Sequence, residues 1–248
     1  MTLLDLRERF LLYLDGEKNA SPHTIKNYAI DLAEFFAFVG ERRAAEIDYL
    51  EIRKFLAHLK GKSYSKSTIS RKLACLRSFF KFLVRENLLS ANPASAVATP
   101  KREKRLPVFL DVEEVTRLLD AAGGDAPAAK RDKAILETLY TSGIRVSELV
   151  GLNLADVDLL SGMLRVRGKG KKERIVPIGR KAQDAIESYL EKRTGTNGKS
   201  RDALFLNKNG TRLTDRSVRR VLLKVASRAS LAKEISPHML RHSFATHL

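Results

Sequence analysis

Apolar positions recur at helical spacing through the first part of the chain. Leu3, Leu6, Phe10 and Leu14 share one face of a first predicted helix. Ser21-Pro22 has the form of an N-cap followed by proline at the first helical position; Ile25, Tyr28, Leu32, Phe36 and Val39 then line one face, and Gly40 stops the run. Asp48 and Glu51 are spaced as a capping box at the head of a third helix. Ser65 opens a fourth, with Ile69, Leu73, Leu76, Phe80 and Leu83 inward. Four amphipathic helices bury their stripes against one another, so residues 1–89 predict a helical bundle. SANPASAVATPKREKRLP then breaks the pattern, first with Ala, Ser and Pro and then with a basic cluster, and residues 90–108 are predicted as a linker.

From 109 to 248 the period is mixed. Asp111 with Glu114 opens a helix, and another is predicted from about Pro127 to Ser142. MLRVRGKGKKERIVPI alternates apolar and polar residues on both sides of a glycine-containing turn, the pattern of a β-hairpin. ALFLN, before Asn209-Gly210, predicts another short strand. Thr214 starts a basic helix with Arg216, Arg219, Arg220, Lys224 and Arg228, and Ser236-Pro237 starts a last one. The class is mainly α, a helical domain followed by an α+β domain with a small sheet. There is no internal repeat.

Charge narrows the partners. Lys and Arg number 46 against 29 Asp and Glu. The excess is shared, 20 against 12 in residues 1–108 and 26 against 17 in 109–248, so it is no basic tail on a neutral body. Such a chain favours a polyanion, nucleic acid first. Between Glu51 and Glu86 there are ten cations and no acid, and Lys66, Arg71, Lys72 and Arg77 are the expected phosphate contacts in that stretch. Arg219 and Arg220 are further candidates for DNA contact. The alternative for such a run is a solvated face. No aromatic RNA-binding motif is visible. A lone cysteine, Cys75, can form neither an internal disulfide nor a cysteine-rich zinc site. No apolar run has the roughly 18 residues a membrane span needs, and MTLLDLRERF does not have the form of a signal or transit peptide. A cytoplasmic protein away from the membrane is expected.

Three segments carry groups suited to chemistry. In SPHMLRHSFATHL, His238 and Arg241 lie three apart on one helix face near its positive end, where an anion is favoured. Arginine grips phosphate oxygens in a fork, and histidine can donate to them or move a proton. His238 and His242 could instead ligate a metal, but no Glu lies between them and no carboxylate cluster is near, so no metal is expected; a structural His238 stays open. In TSGIRVSELVGL, Gly143 interrupts a helical run before Arg145, and Glu148 three residues on can hold that guanidinium, or the pair is a plain surface salt bridge. In Gly168-Lys169-Gly170-Lys171-Lys172, lysines sit on a tight turn, where they could approach a DNA groove or simply be solvated.

Taken in order, Arg145 in GIRVSELVGL, Lys169 in GKGKKER, and His238 and Arg241 in PHMLRHSFATH resemble the signature of the tyrosine recombinase (phage integrase) family. The resemblance covers essentially the whole chain, and LRSFFKFL, LPVFLDVEEVTRLLD and RHSFATH make it similar to the Xer subgroup. It implies a four-helix, SAM-like core-binding domain over 1–89 and a mostly helical catalytic domain over 109–248. It implies that Arg145 and Arg241 bind the scissile phosphate, with Glu148 in support. Lys169 would be the general acid to the 5′-hydroxyl, and His238 would hydrogen-bond the phosphate. The reaction would pass through a 3′-phosphotyrosyl link that keeps the bond energy, so no cofactor is implied. The partners implied are double-stranded DNA at a specific site, a second Xer-type recombinase, and a tetramer on that DNA, in chromosome dimer resolution. In the family a leucine-glycine-histidine motif and the nucleophilic Tyr follow the HxxR helix. The six tyrosines of this sequence all precede Arg241. The expectation is a catalytic domain cut short before its nucleophile, which binds DNA without cleaving it. A non-catalytic DNA-binding protein or decoy is the alternative, and a type IB topoisomerase a more distant one.

Overall fold

The computed structural model describes residues 1–101, 108–168, 172–193 and 200–248. They fall into two compact units, Met1–Arg105 and Leu106–Leu248. Among the described residues no helix is long and apolar enough to cross a membrane.

The first unit holds α1 (Leu3–Gly16), α2 (Pro22–Val39), α3 (Tyr49–Gly61) and α4 (Lys66–Arg85). Ser21, Asp48 and Ser65 cap α2, α3 and α4 as expected, each accepting a backbone N–H three residues on. The box at Asp48 is only half formed, because the Glu51 carboxylate turns away to Lys54 and Arg42. The apolar stripes meet in a core rich in phenylalanine, with Phe10 edge-on to Phe79 at 5.5 Å and Phe35 edge-on to Phe55 at 5.0 Å.

Several cations of the acid-free stretch find acids outside their own helices. Asp31, buried on α2, binds Arg71 and, at 2.7 Å, Lys72; Lys72 also reaches Glu34 at 2.8 Å. Lys62 pairs with Glu34 and Arg85 with Glu17. A sequence interval without acids is therefore not a surface without them. The expected linker also divides: Ala94 and Val97 are buried in this unit's core, and residues 92–99 are tied to α4 through Arg77 and Asn92.

The second unit contains α5 (Val112–Ala121), α6 (Pro127–Ser142), α7 (Val146–Gly151), a sheet of β1 (Val157–Asp158), β2 (Met163–Arg167) and β3 (Glu173–Pro177), then α8 (Arg180–Lys192), α9 (Asp215–Arg228) and α10 (Pro237–His247). The sheet is antiparallel in the order β1-β2-β3, and β2 alternates as predicted, with Leu164 and Val166 inward. Two elements differ from the sequence expectation. α8 was not anticipated, although Ala182, Ile186 and Tyr189 form its buried stripe against α6. ALFLN is no strand but makes two isolated bridges, Ala203 to Asn153 and Leu206 to Arg212. All of Ala203 to Leu206 is buried, so there is no alternation of faces and no partner strand to pair with.

Candidate active site

Two backbone features bring distant segments together. α6 ends at Gly143 in the left-handed conformation, φ 57°, which lets the chain turn sharply and start α7 at Arg145. α10 packs over that turn. A Cβ on Gly143 would lie 2.3 Å from the Phe244 ring, so glycine is required both for its backbone angle and for this close approach. α10 is held further by Ser243, whose hydroxyl accepts from the Leu110 amide at 2.9 Å, and by a 3.0 Å hydrogen bond between Tyr140 and His247.

Arg241 donates from α10 to the Gly143 carbonyl. The same turn thus presents Arg145 and anchors Arg241. The two arginines, with His238, Ser147 and Arg219, line one cleft of about 410 Å³, and no lining residue is acidic among those described. Three guanidiniums and an imidazole face the space, at the N-terminal end of the eleven-residue α10. Such a concavity is built for an oxyanion, and the arginine forks match phosphate.

Glu148 underlies the cleft. It is buried, and its carboxylate accepts from the Arg145 amide at 2.8 Å and the Arg145 guanidinium at 3.1 Å. Arg174 of β3 adds a two-pronged pair at 2.9 and 2.8 Å. Burial pushes the carboxyl pKa up, but the Arg174 hydrogen bonds and the Arg145 amide outweigh it and hold the group at about 2. This carries a pH prediction. A carboxylate depressed on folding contributes stability above its unfolded pKa and loses it as the pH falls towards the folded value. Unfolding midpoints followed by circular dichroism should fall as the pH drops from about 4.5 to about 2. Glu148→Gln should flatten that part of the profile; an unchanged profile would remove Glu148 as its cause.

The other expected residues separate into three groups. Lys169 lies outside the described residues. The root of its turn is described: Gly168 donates to the Lys172 carbonyl at 2.8 Å, and a Cβ on Gly168 would sit 3.7 Å from Glu148. Arg219 joins the cleft, whereas Arg220, exposed on α9, contacts Ser217. Among the α4 candidates Lys66 is exposed and Arg71 keeps 41% of its side chain open. Lys72 is only 3% exposed and its ammonium is engaged by Asp31 and Glu34, unlike the solvent-facing cation expected from the sequence. Arg77 binds the Ala94 and Val97 carbonyls and Thr99, which gives it the task of holding residues 92–99.

No tyrosine lines the cleft. Tyr28 and Tyr140 pack against the two cores, and Tyr189 is buried; burial raises all three phenol pKa values. Tyr13, Tyr49 and Tyr64 belong to the first unit. No group of three or more His, Cys, Asp or Glu among the described residues could hold a metal ion. Sequence reasoning missed Arg174. Its signal was a cation at an inward strand position, beside Val176 on the same face of β3.

Comparison with known proteins agrees with both halves of this architecture. The model of the phage integrase family matches residues 108–248, and the model of the phage integrase N-terminal SAM-like domain matches residues 8–87. Tyrosine recombinase XerC of Halalkalibacterium halodurans is 50% identical over 248 residues, covering 96% of this chain and 82% of the relative. The crystal structure of XerA recombinase is similar with 31% identity and a TM-score of 0.52, covering 98% of this chain and 83% of the other. The Tn1549 transposon integrase in complex with circular intermediate DNA shares the fold at 20% identity, with a TM-score of 0.78 and coverage of 100% and 86%.

Proposed function

The chain belongs to the phage integrase family, and from that premise we propose that it carries the DNA-binding and phosphate-activating residues of a site-specific tyrosine recombinase of Xer type. Its substrate is duplex DNA at a specific site, and its cellular task is the resolution of chromosome dimers in the cytoplasm. The helical unit contacts DNA as a core-binding domain, and the second unit carries the chemistry. A second Xer-type recombinase shares the site, and four subunits assemble on it.

The observation that carries this reading is the acid-free cleft where Arg145, His238 and Arg241 converge. Arg145 and Arg241 bind the non-bridging oxygens of the scissile phosphate and stabilise the charge that builds up when the phosphorus becomes five-coordinate. His238 donates to the same phosphate. Lys169 protonates the departing 5′-oxygen. The attacking oxygen belongs to a tyrosine, which forms the phosphorus–oxygen bond as the bond to the 5′-oxygen breaks, and His238 assists the transfer of the phenol proton away from it.

None of the six tyrosines of this sequence lines the cleft, which supports a further expectation. A protein of these 248 residues binds duplex DNA but leaves it uncut. Incubated with a nicked suicide substrate and run on a denaturing gel, it should shift the DNA in a native gel yet give no covalent adduct. An adduct would show that one of the six tyrosines attacks. Absence of binding at low salt would contradict the DNA reading itself.

A further inference from the structure

Glu148 is shared between two arginines, and the sharing is unequal. Arg174 reaches both carboxylate oxygens, Nη1 to Oε1 at 2.9 Å and Nη2 to Oε2 at 2.8 Å. The Arg145 side chain has one bond to Oε1, at 3.1 Å the longest of the four contacts, while its amide takes Oε2 at 2.8 Å. If neutralising Glu148 were the only need, Arg145 alone would meet it. With Arg174 in place, one buried negative charge faces two positive ones, and the Arg145 guanidinium keeps its remaining donors and 61% of its side chain open.

Arg174 is fixed at its own end. It sits on β3 opposite Val166 of β2, and the hairpin root beside it is closed by the Gly168–Lys172 hydrogen bond. A lysine there is no substitute, because a single ammonium cannot bridge two oxygens as a planar fork does.

We propose that Arg174 is a positioning residue of the active site: by occupying both oxygens of Glu148 it locks the carboxylate that orients Arg145, while leaving that guanidinium free to grip a phosphate. This inference rests on the recombinase reading of the cleft. Arg174 acts through Glu148 and does not itself touch DNA.

The test uses the 248-residue protein and a duplex that it selects from a random pool. Each phosphodiester is replaced in turn by a neutral methylphosphonate, and affinity is measured by fluorescence anisotropy. For the wild type, one phosphate should stand out, its replacement weakening binding roughly tenfold, the size of one charge-assisted hydrogen bond. Arg145→Ala should lower the sensitivity at that position to what Arg241 and His238 still hold. Arg174→Ala should remove most of the share that Arg145→Ala removes and leave the flanking phosphates unchanged, and Arg174→Lys should restore that share only in part. In the Arg145→Ala background, adding Arg174→Ala should change nothing further. Acidification should also separate the variants. Between about pH 7 and about pH 5, Arg174→Ala should lose more of its sensitivity than the wild type does, because burial then pulls the Glu148 pKa up.

The inference is overturned if Arg174→Ala keeps the full wild-type sensitivity, weakens all phosphates alike, or lowers affinity further in the Arg145→Ala background. If Arg174→Ala fails to fold, Arg174→Lys carries the same comparison. If no phosphate responds in the wild type, the recombinase reading of the cleft fails and this inference with it. A wild type that responds, an Arg145→Ala that responds less, and an Arg174→Ala that behaves as wild type would remove the Arg174 role alone.

Discussion

Replacing Arg241 with alanine is expected to lower strand cleavage about 100- to 1000-fold in a protein that joins these residues to a tyrosine nucleophile. Two losses combine. The transition state loses one preorganised fork where negative charge develops. The turn at Gly143 loses the side chain that clasps its carbonyl, and Arg145 starts from that turn. Arg241→Lys should recover little, because an ammonium cannot bond the carbonyl and both phosphate oxygens in one plane. The measurement is single-turnover cleavage of a suicide substrate at saturating protein, so weakened DNA binding does not enter. Cleavage within tenfold of wild type would place Arg241 outside the chemistry.

The second large effect concerns stability. Gly143→Ala should destabilise the second unit through two separate costs. A left-handed backbone angle at a residue with a Cβ costs about 1–2 kcal/mol. The new methyl would also meet the Phe244 ring at 2.3 Å, and overpacking of this kind adds about 1–3 kcal/mol. Chemical denaturation followed by circular dichroism measures the sum. A Phe244→Ala background separates the parts: there the added cost of Gly143→Ala should shrink to the backbone cost, a non-additivity that direct contact requires. An unchanged midpoint for Gly143→Ala would mean that α10 does not press on this turn.

Much of this site was legible in the amino-acid order because its parts sit on strong local signals. Ser236-Pro237 marks the start of α10, so the shared face of His238 and Arg241 followed from helical spacing. Gly143 announced the break that starts Arg145, and the three-residue step to Glu148 put a carboxylate in reach of its guanidinium, whereas the capping box on the Arg145 amide shows only in the fold. The β2–β3 hairpin followed from strict alternation. What was not legible depends on contacts between segments far apart in sequence. Arg71, Lys72, Lys62 and Arg85 looked free of acids because their partners, Asp31, Glu34 and Glu17, lie on α2 and just past the end of α1. Arg77 looked like a surface cation, yet it holds a segment read as open linker. Arg174 was passed over among the charges of KKER, and only the fold shows its fork on Glu148.

Arg145, His238 and Arg241, drawn from two distant stretches of sequence, are proposed to bind one phosphate together. A crystal structure of the protein on a duplex it selects tests this directly. It should show a single backbone phosphate within hydrogen-bond reach of all three side chains, with Glu148 still bridging Arg145 and Arg174. A duplex bound elsewhere on the second unit, with no phosphate between Arg145 and Arg241, would contradict it.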